Sequence, residues 1–330
     1  MRHLSATSSL RVSSLAPENA LRRLELQIVR RLEGYLYGEH LGLLPGPGTD
    51  LAEARPYVPG ADDVRRMDWS VTARTTVPHV RDVIADRELE TWALVDLSPS
   101  MSFGTAALEK RELAVAAVAT IGLLTFRIGD RFGGYVLRGG TVRRWPARSG
   151  RIALYALLRA LWSQPPERDS DRRGVDLPDA VRTMSRSQRK RGFRVVVSDF
   201  LDTGDGLLDS DRPPAWEHAI RELAARHQTL AVEVIDPREL DIPDVGTILM
   251  QDPESGELRE LHTGSRRVRE RYSAAARVQR ERTQRALRRA GAGHLVLRTD
   301  RDWVADTARF TLAHRRIAQR LHAPPTGVAR

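Results

Sequence analysis

Cysteine is absent from the chain, and lysine occurs only twice, at 110 and 190. The first absence excludes disulfides, thiolate metal sites and cysteine nucleophiles together, and it fits a reducing compartment. The second leaves arginine to carry nearly all of the positive charge, as GC-rich coding would produce. Long apolar runs are missing as well. The longest, Leu113 to Phe126, is interrupted by Thr120, Gly122 and Thr125 and flanked by Arg111 and Arg127. Crossing a bilayer takes roughly 20 apolar residues, so this segment reads as a helix buried against a sheet. The N-terminal stretch MRHLSATSSLRVSS lacks the apolar region of a secretory signal. These absences point to a cytoplasmic protein.

Motifs for common chemistries are missing too. The nine histidines form no His-Glu-x-x-His or comparable metal spacing. No Gly-x-x-x-x-Gly-Lys-[Ser/Thr] loop is present, so the chain should not hydrolyse ATP itself. No Gly-x-Ser-x-Gly elbow is present either, and Ser98 has no evident histidine base. What the chain does have is 330 residues, 41% of them apolar, enough to bury a substantial core. Its net charge of +10 would suit an acidic partner. The arginines are spread over the whole length, however, and no nucleic-acid reading motif accompanies them.

Along the chain, residues 1–15 read as a polar, mobile leader. Pro17 opens a helix with Leu21, Leu24, Ile28, Leu32 and Tyr35 on one face, closed by Gly46-Pro-Gly48. Residues 50–90 mix short β-prone pieces with turn chemistry, so 16–90 is taken as an N-terminal helix and strand-rich extension. From 91 to 330 the pattern alternates strand and helix. Strands are expected at 92–95, 193–197, 229–235 and 294–297, and a hairpin at 132–137 and 141–145 turning on Gly139-Gly140. Helices are expected near 106–127, 150–163, 177–190, 214–227, 265–290 and 302–321, with a second hairpin inserted near 246–262. This order predicts an α/β fold: a doubly wound, mostly parallel sheet with helices on both faces.

Several of those strands run into an aspartate: Asp96, Asp199, Asp236 and Asp300. Open parallel sheets bind ligands beyond the carboxyl ends of their strands, at the crevice where strand order reverses. A central strand 92–95 with 193–197 beside it would bring Asp96 and Asp199 together there. Asp96-x-Ser98-x-Ser100 adds two hydroxyls on one turn, an oxygen set suited to a hard cation such as Mg²⁺. The alternative is plain capping of the following helix by Asp and Ser.

Asp96-Leu-Ser-Pro-Ser-Met101 after a buried strand resembles the metal-ion-dependent adhesion site of von Willebrand factor A domains. More specifically, the chain resembles the bacterial family called domain of unknown function 58. The resembling segments are Arg55 to Trp69, Thr72-Ala-Arg74, Asp96 to Met101, Gly129-Asp130-Arg131, Arg148-Ser-Gly-Arg151, Val197-Ser-Asp-Phe200 and Asp252 to Glu257. The resemblance implies a von Willebrand factor A-like domain joined to a strand-rich segment. It also implies a partner, a MoxR-type AAA+ ATPase, with no enzymatic activity of the chain's own. In such a site Ser98 and Ser100 would bind the metal directly, and Asp96 and Asp199 through water. The expected threonine is replaced by Val175, which cannot ligate a cation and leaves water or Asp176 to complete the set.

Two arginine-rich segments complete the reading. Arg65, Arg66, Asp68 and Arg74 either form a charged docking surface or hold local structure, with Trp69 packing the extension onto the main domain. The helix near 265–290 carries ten arginines beside a narrow stripe of Val268, Tyr272, Ala275, Gln279, Thr283, Ala286 and Ala290. Three functions follow. The leading one is a non-enzymatic protein-binding adaptor using a degenerate adhesion site, with Mg²⁺ as its conditional cofactor. The second is nucleic-acid binding through the arginine-rich helix, and the third is metal-dependent hydrolysis.

Overall fold

The computed structural model describes residues 26–31, 55–58, 67–80, 90–125, 131–165, 174–201, 212–251 and 258–322. The leader, Arg65 and Arg66, Gly129-Asp130 and Asp252 to Glu257, all singled out in the sequence, lie outside them. The chain divides into two units. Helix α1 (26–31), with Ile28 fully buried, falls in the large unit.

In the small unit, β1 (Arg55–Pro56) pairs antiparallel with β2 (His79–Val80), and helix α2 (Trp69–Thr75) lies between them in sequence. The helix replaces part of what was read as strand-prone chain. Its start is chemical: the Asp68 carboxylate accepts from the Ser70 and Val71 amides at 3.0 and 3.2 Å, satisfying donors the first turn leaves over. Trp69 is 69% exposed. As the first residue past the cap it extends outward.

The large unit continues in order: β3 (Glu90–Asp96), α3 (Lys110–Thr125), β4 (Arg131–Arg138), β5 (Thr141–Ser149), α4 (Arg151–Trp162), α5 (Leu177–Ser187), β6 (Phe193–Ser198), α6 (Ala215–Ala224), β7 (Gln228–Ile235), β8 (Thr247–Gln251), β9 (Leu258–His262), α7 (Arg266–Ala290), β10 (Gly293–Arg298) and α8 (Trp303–His322). Six strands form one sheet in the order β10-β7-β6-β3-β4-β5. Every pairing is parallel except β4 with β5, the expected hairpin. Counted within this sheet, the order is the doubly wound arrangement predicted from the sequence.

Burial explains which strand is central. From Thr91 to Asp96, β3 is buried throughout, with Leu94 opposite Tyr135 of β4 and Val196 of β6. A strand buried on both faces reads as a continuous apolar run, as Trp92-Ala-Leu-Val95 does. Helices α3, α4 and α8 pack over one face, and α5, α6 and α7 over the other. Almost every side chain of α3 is buried, which accounts for its lack of a polar face. The second face holds a core of Trp92, Leu94, Met184, Phe200, Trp216 and Leu287 among others. Strands β8 and β9 form a separate antiparallel hairpin, where it was expected, with Leu249 and Leu258 exposed. Among the described residues, no helix is long and apolar enough to cross a membrane.

Candidate functional site

The chain leaves β3 at Asp96 and turns at once. The Ser98 amide donates to Asp96 Oδ1 at 2.9 Å, a local bond that bends the backbone after the carboxylate. Pro99 then opens a short 3₁₀ turn, 99–102, whose Met101 is fully buried as an anchor. This geometry presents the Ser98 and Ser100 hydroxyls side by side, 3.3 Å apart. The neighbouring strand β6 delivers Ser198 and Asp199 to the same corner. Ser198 Oγ donates to Asp96 Oδ2 at 2.7 Å, and the Ser100 hydroxyl hydrogen-bonds Asp199. All four residues singled out in the sequence therefore meet at the switch point: Asp96, Ser98, Ser100 and Asp199.

Asp199 is aimed by an unusual backbone. The next residue, Phe200, has a φ of 54°, a left-handed conformation that a bulky side chain seldom adopts. The surrounding structure holds it there. The Phe200 amide donates to Ser198 Oγ at 3.1 Å, its carbonyl accepts from Trp216 Nε1 at 3.1 Å, and the two rings meet edge to face at 5.1 Å. The reversal turns the chain away from the sheet while the Asp199 carboxylate stays at the strand end.

The residue that completes the cluster is one the motif search passed over. Lys110, the first residue of α3, is fully buried, and its Nζ donates to Asp199 Oδ2 at 2.8 Å and to Glu239 Oε1. Burial alone would lower its pKa, but Asp199 and Glu239 outweigh that and hold the ammonium above its usual range. Asp199 is affected in the opposite sense: burial disfavours its charge, yet the adjacent Lys110 keeps its pKa below normal. Asp96 has no cation of its own. Burial and the neighbouring Asp199 push it up to about 6, against the bonds from Ser98 and Ser198.

The other two strand-end aspartates do different work. Asp236 accepts from the Thr105 amide at 2.8 Å, from Thr105 Oγ1 at 2.5 Å and from Thr299 Oγ1 at 2.8 Å, tying down the loop between the 3₁₀ turn and α3. It also forms a reciprocal cap with Glu239, which places Glu239 against Lys110. Asp300 is engaged by Arg298 at 2.8 and 2.7 Å on the surface.

The fit to Mg²⁺ can be tested on these contacts. Hydroxyls 3.3 Å apart suit adjacent corners of an octahedron, whose edges are roughly 3 Å. The remaining donors do not suit it. Val175 packs its side chain against the core, held by its amide on the Gly140 carbonyl at 2.7 Å. At the preceding Gly174 the backbone leaves no room for a side chain, since a Cβ there would lie 2.1 Å from Gly140 Cα. Asp176, the possible substitute, caps α5 through the Asp179 amide at 2.9 Å. Asp199 is committed to Lys110. The residues present therefore do not fit a resident Mg²⁺: one carboxylate and two hydroxyls are left, beside a buried positive charge.

Lys110 carried a sequence signal. A cation opening a helix opposes the positive end of the helix dipole, and of the 53 basic residues only two are lysine. Arginine cannot shrink to a point charge between two carboxylates, whereas a lysine ammonium can.

The family profile described as "Protein of unknown function DUF58" matches residues 53–282. An uncharacterized protein of Mycobacterium tuberculosis is 48% identical over 299 residues, covering 91% of this chain and 90% of the relative. Another, from Mycobacterium avium, is 41% identical over 175 residues, covering 53% of this chain and 96% of its own. Two solved structures match over much of the chain. The conserved hypothetical protein BatB from Bacteroides thetaiotaomicron is 17% identical with a TM-score of 0.41, covering 70% of this chain and 99% of that one. A von Willebrand factor type A protein from Catenulispora acidiphila is 11% identical with a TM-score of 0.32, covering 72% and 43%.

Proposed function

The chain belongs to the family described as protein of unknown function DUF58, and from that premise we propose that it is a non-enzymatic adaptor for a MoxR-type AAA+ ATPase. Its von Willebrand factor A-like domain engages the partner through the crevice around Asp96, Ser98, Ser100 and Asp199. The observation that carries the reading is the convergence of two carboxylates and two hydroxyls at the switch point of the sheet, where this architecture binds ligands.

The chemistry favours recognition over turnover. Both Asp199 oxygens already accept, from Lys110 and from the Leu201 amide, and both Asp96 oxygens accept from serine donors. Both carboxylates are thus oriented by donors of the fold. The Ser98 oxygen keeps lone pairs that can accept from a partner's N–H or O–H donor, and hydrogen bonds of that kind give orientation and specificity.

Co-purification with the MoxR-type ATPase tests this, using the full chain, Ser98→Ala and Asp96→Asn. Retention by the wild type, weakened about tenfold or more by either variant, is the expected result. Equal retention of all three, with folding shown by circular dichroism, removes the crevice from the interface. Turnover of a phosphoester or peptide substrate that Asp96→Asn abolishes would replace the adaptor reading with a hydrolase.

A further inference from the structure

We propose that Lys110 is the permanent cation of this adhesion-type site, so that the crevice works without a divalent metal. The inference deepens the partner-binding reading of the same crevice, but its test requires no partner, so the two can fail separately.

Lys110 enters from α3, a different element from either motif, and its Nζ reaches Asp199 at 2.8 Å with no solvent exposure. Glu239 closes the other side of the ammonium and is itself fixed by its bond to the Asp236 amide at 2.9 Å. Both carboxylates therefore meet their counter-charge inside the fold. A divalent ion brought to Ser98 and Ser100 would face that ammonium across Asp199. It would also lack the oxygen that Val175 cannot supply. The lysine cannot swing away, because α3 is buried along most of its length and the Lys110 amide is bonded to the Phe103 carbonyl at 2.9 Å.

A covalently tethered charge also accounts for the rest of the turn. The two hydroxyls lie 3.3 Å apart, Ser98 beside Asp96 and Ser100 beside Asp199, at the corner whose charge Lys110 balances. The loop from 103 to 109 is braced by Asp236, which sets the start of α3 and with it the depth of Lys110. Within this cluster Lys110 is a positioning residue: it fixes the charge and orientation of Asp199, and Asp199 in turn fixes Ser100.

The test is a Mn²⁺ titration of the full chain followed by electron paramagnetic resonance, with Mg²⁺ as competitor, on wild type and Lys110→Ala. The wild type is expected to take up no Mn²⁺ at submillimolar concentration. Lys110→Ala exposes Asp199 and Glu239 beside the two serines, and its Mn²⁺ affinity is expected to rise by about tenfold or more, with a matching gain in Tm on adding Mn²⁺. A stoichiometric Mn²⁺ site in the wild type, lost in Ser98→Ala, overturns the proposal. So does a folded Lys110→Ala that gains no affinity. Should Lys110→Ala fold only when Mn²⁺ is supplied, the metal is replacing the ammonium and the proposal stands. Should it fail to fold with Mn²⁺ as well, the wild-type titration decides alone.

Discussion

Asp96 and Asp199 share a corner but respond to pH in opposite directions. The Asp96 pKa is pushed up to about 6 by burial and by Asp199, so the folded chain holds that proton more tightly than the unfolded chain does. Its contribution to stability is present below the ordinary carboxyl value and is lost as pH rises through about 6. Asp199 lies below its ordinary value because of Lys110, so its contribution is present at neutral pH and is lost in acid. Asp96→Asn removes the Asp96 titration and also one accepted bond, because an amide nitrogen cannot accept from Ser98 or Ser198. Its stability is expected to gain on the wild type's as pH rises from 4 to 7.5, as measured by urea unfolding at both values. Lys110→Ala strands the buried Asp199 carboxylate and the half-buried Glu239, and about 3–5 kcal/mol of stability should be lost at pH 7 in the same assay.

Helices position this corner as much as strands do. Helix α6 matters because its Trp216 is fully buried, packs on Phe200 and bonds the Phe200 carbonyl. Trp216→Ala is expected to cost about 3–5 kcal/mol by denaturant midpoint. Trp216→Phe should cost less in packing, but it releases the carbonyl that holds the left-handed turn. Helix α7 shows how an arginine-rich segment is used for structure. Its buried stripe is Arg282, Thr283, Ala286, Leu287 and Ala290, displaced toward the C-terminal half from the full-length stripe read in the sequence. Arg282 donates to the Arg212 carbonyl at 3.1 and 2.7 Å, and Arg289 clasps Glu217 of α6 at 2.7 Å. Elements with strong periodicity or clear stops, such as α5, β6 and the Gly139-Gly140 hairpin, were legible to within a few residues. The helix α2 was not, because Asp68 starts it within a segment whose other residues favour turns and short strands.

At the scale of the whole molecule, several of the basic residues behind the net charge of +10 are engaged within the fold, on Glu217, Asp199, Glu239 and a backbone carbonyl. Binding to duplex DNA is therefore expected to be weak and to disappear between 50 and 200 mM salt, roughly the range over which counterion release dominates; a fluorescence anisotropy titration checks it, and tight binding at the upper value would return the arginine-rich helix to the leading place. Stability should also be uneven. Native-state hydrogen exchange is expected to find β3, β6 and β7 exchanging only through global unfolding. Strands β8 and β9, a lone exposed pair, should open locally with much lower protection.

The amino-acid sequence by itself determined the alternation of strand and helix and the central place of the Trp92-Ala-Leu-Val95 run. It also determined the carboxylate-and-hydroxyl turn that follows. Each is a local signal, set by apolar period, turn residues and adjacency in the chain. The tertiary structure alone decided what kind of site that turn becomes. Lys110, Asp199 and Glu239 are far apart in the sequence, and no local pattern links them. Only the packing of α3 between the strand ends and the Asp236 turn puts an ammonium between two carboxylates, out of reach of water. There its charge settles the electrostatics that the motif alone would assign to a metal.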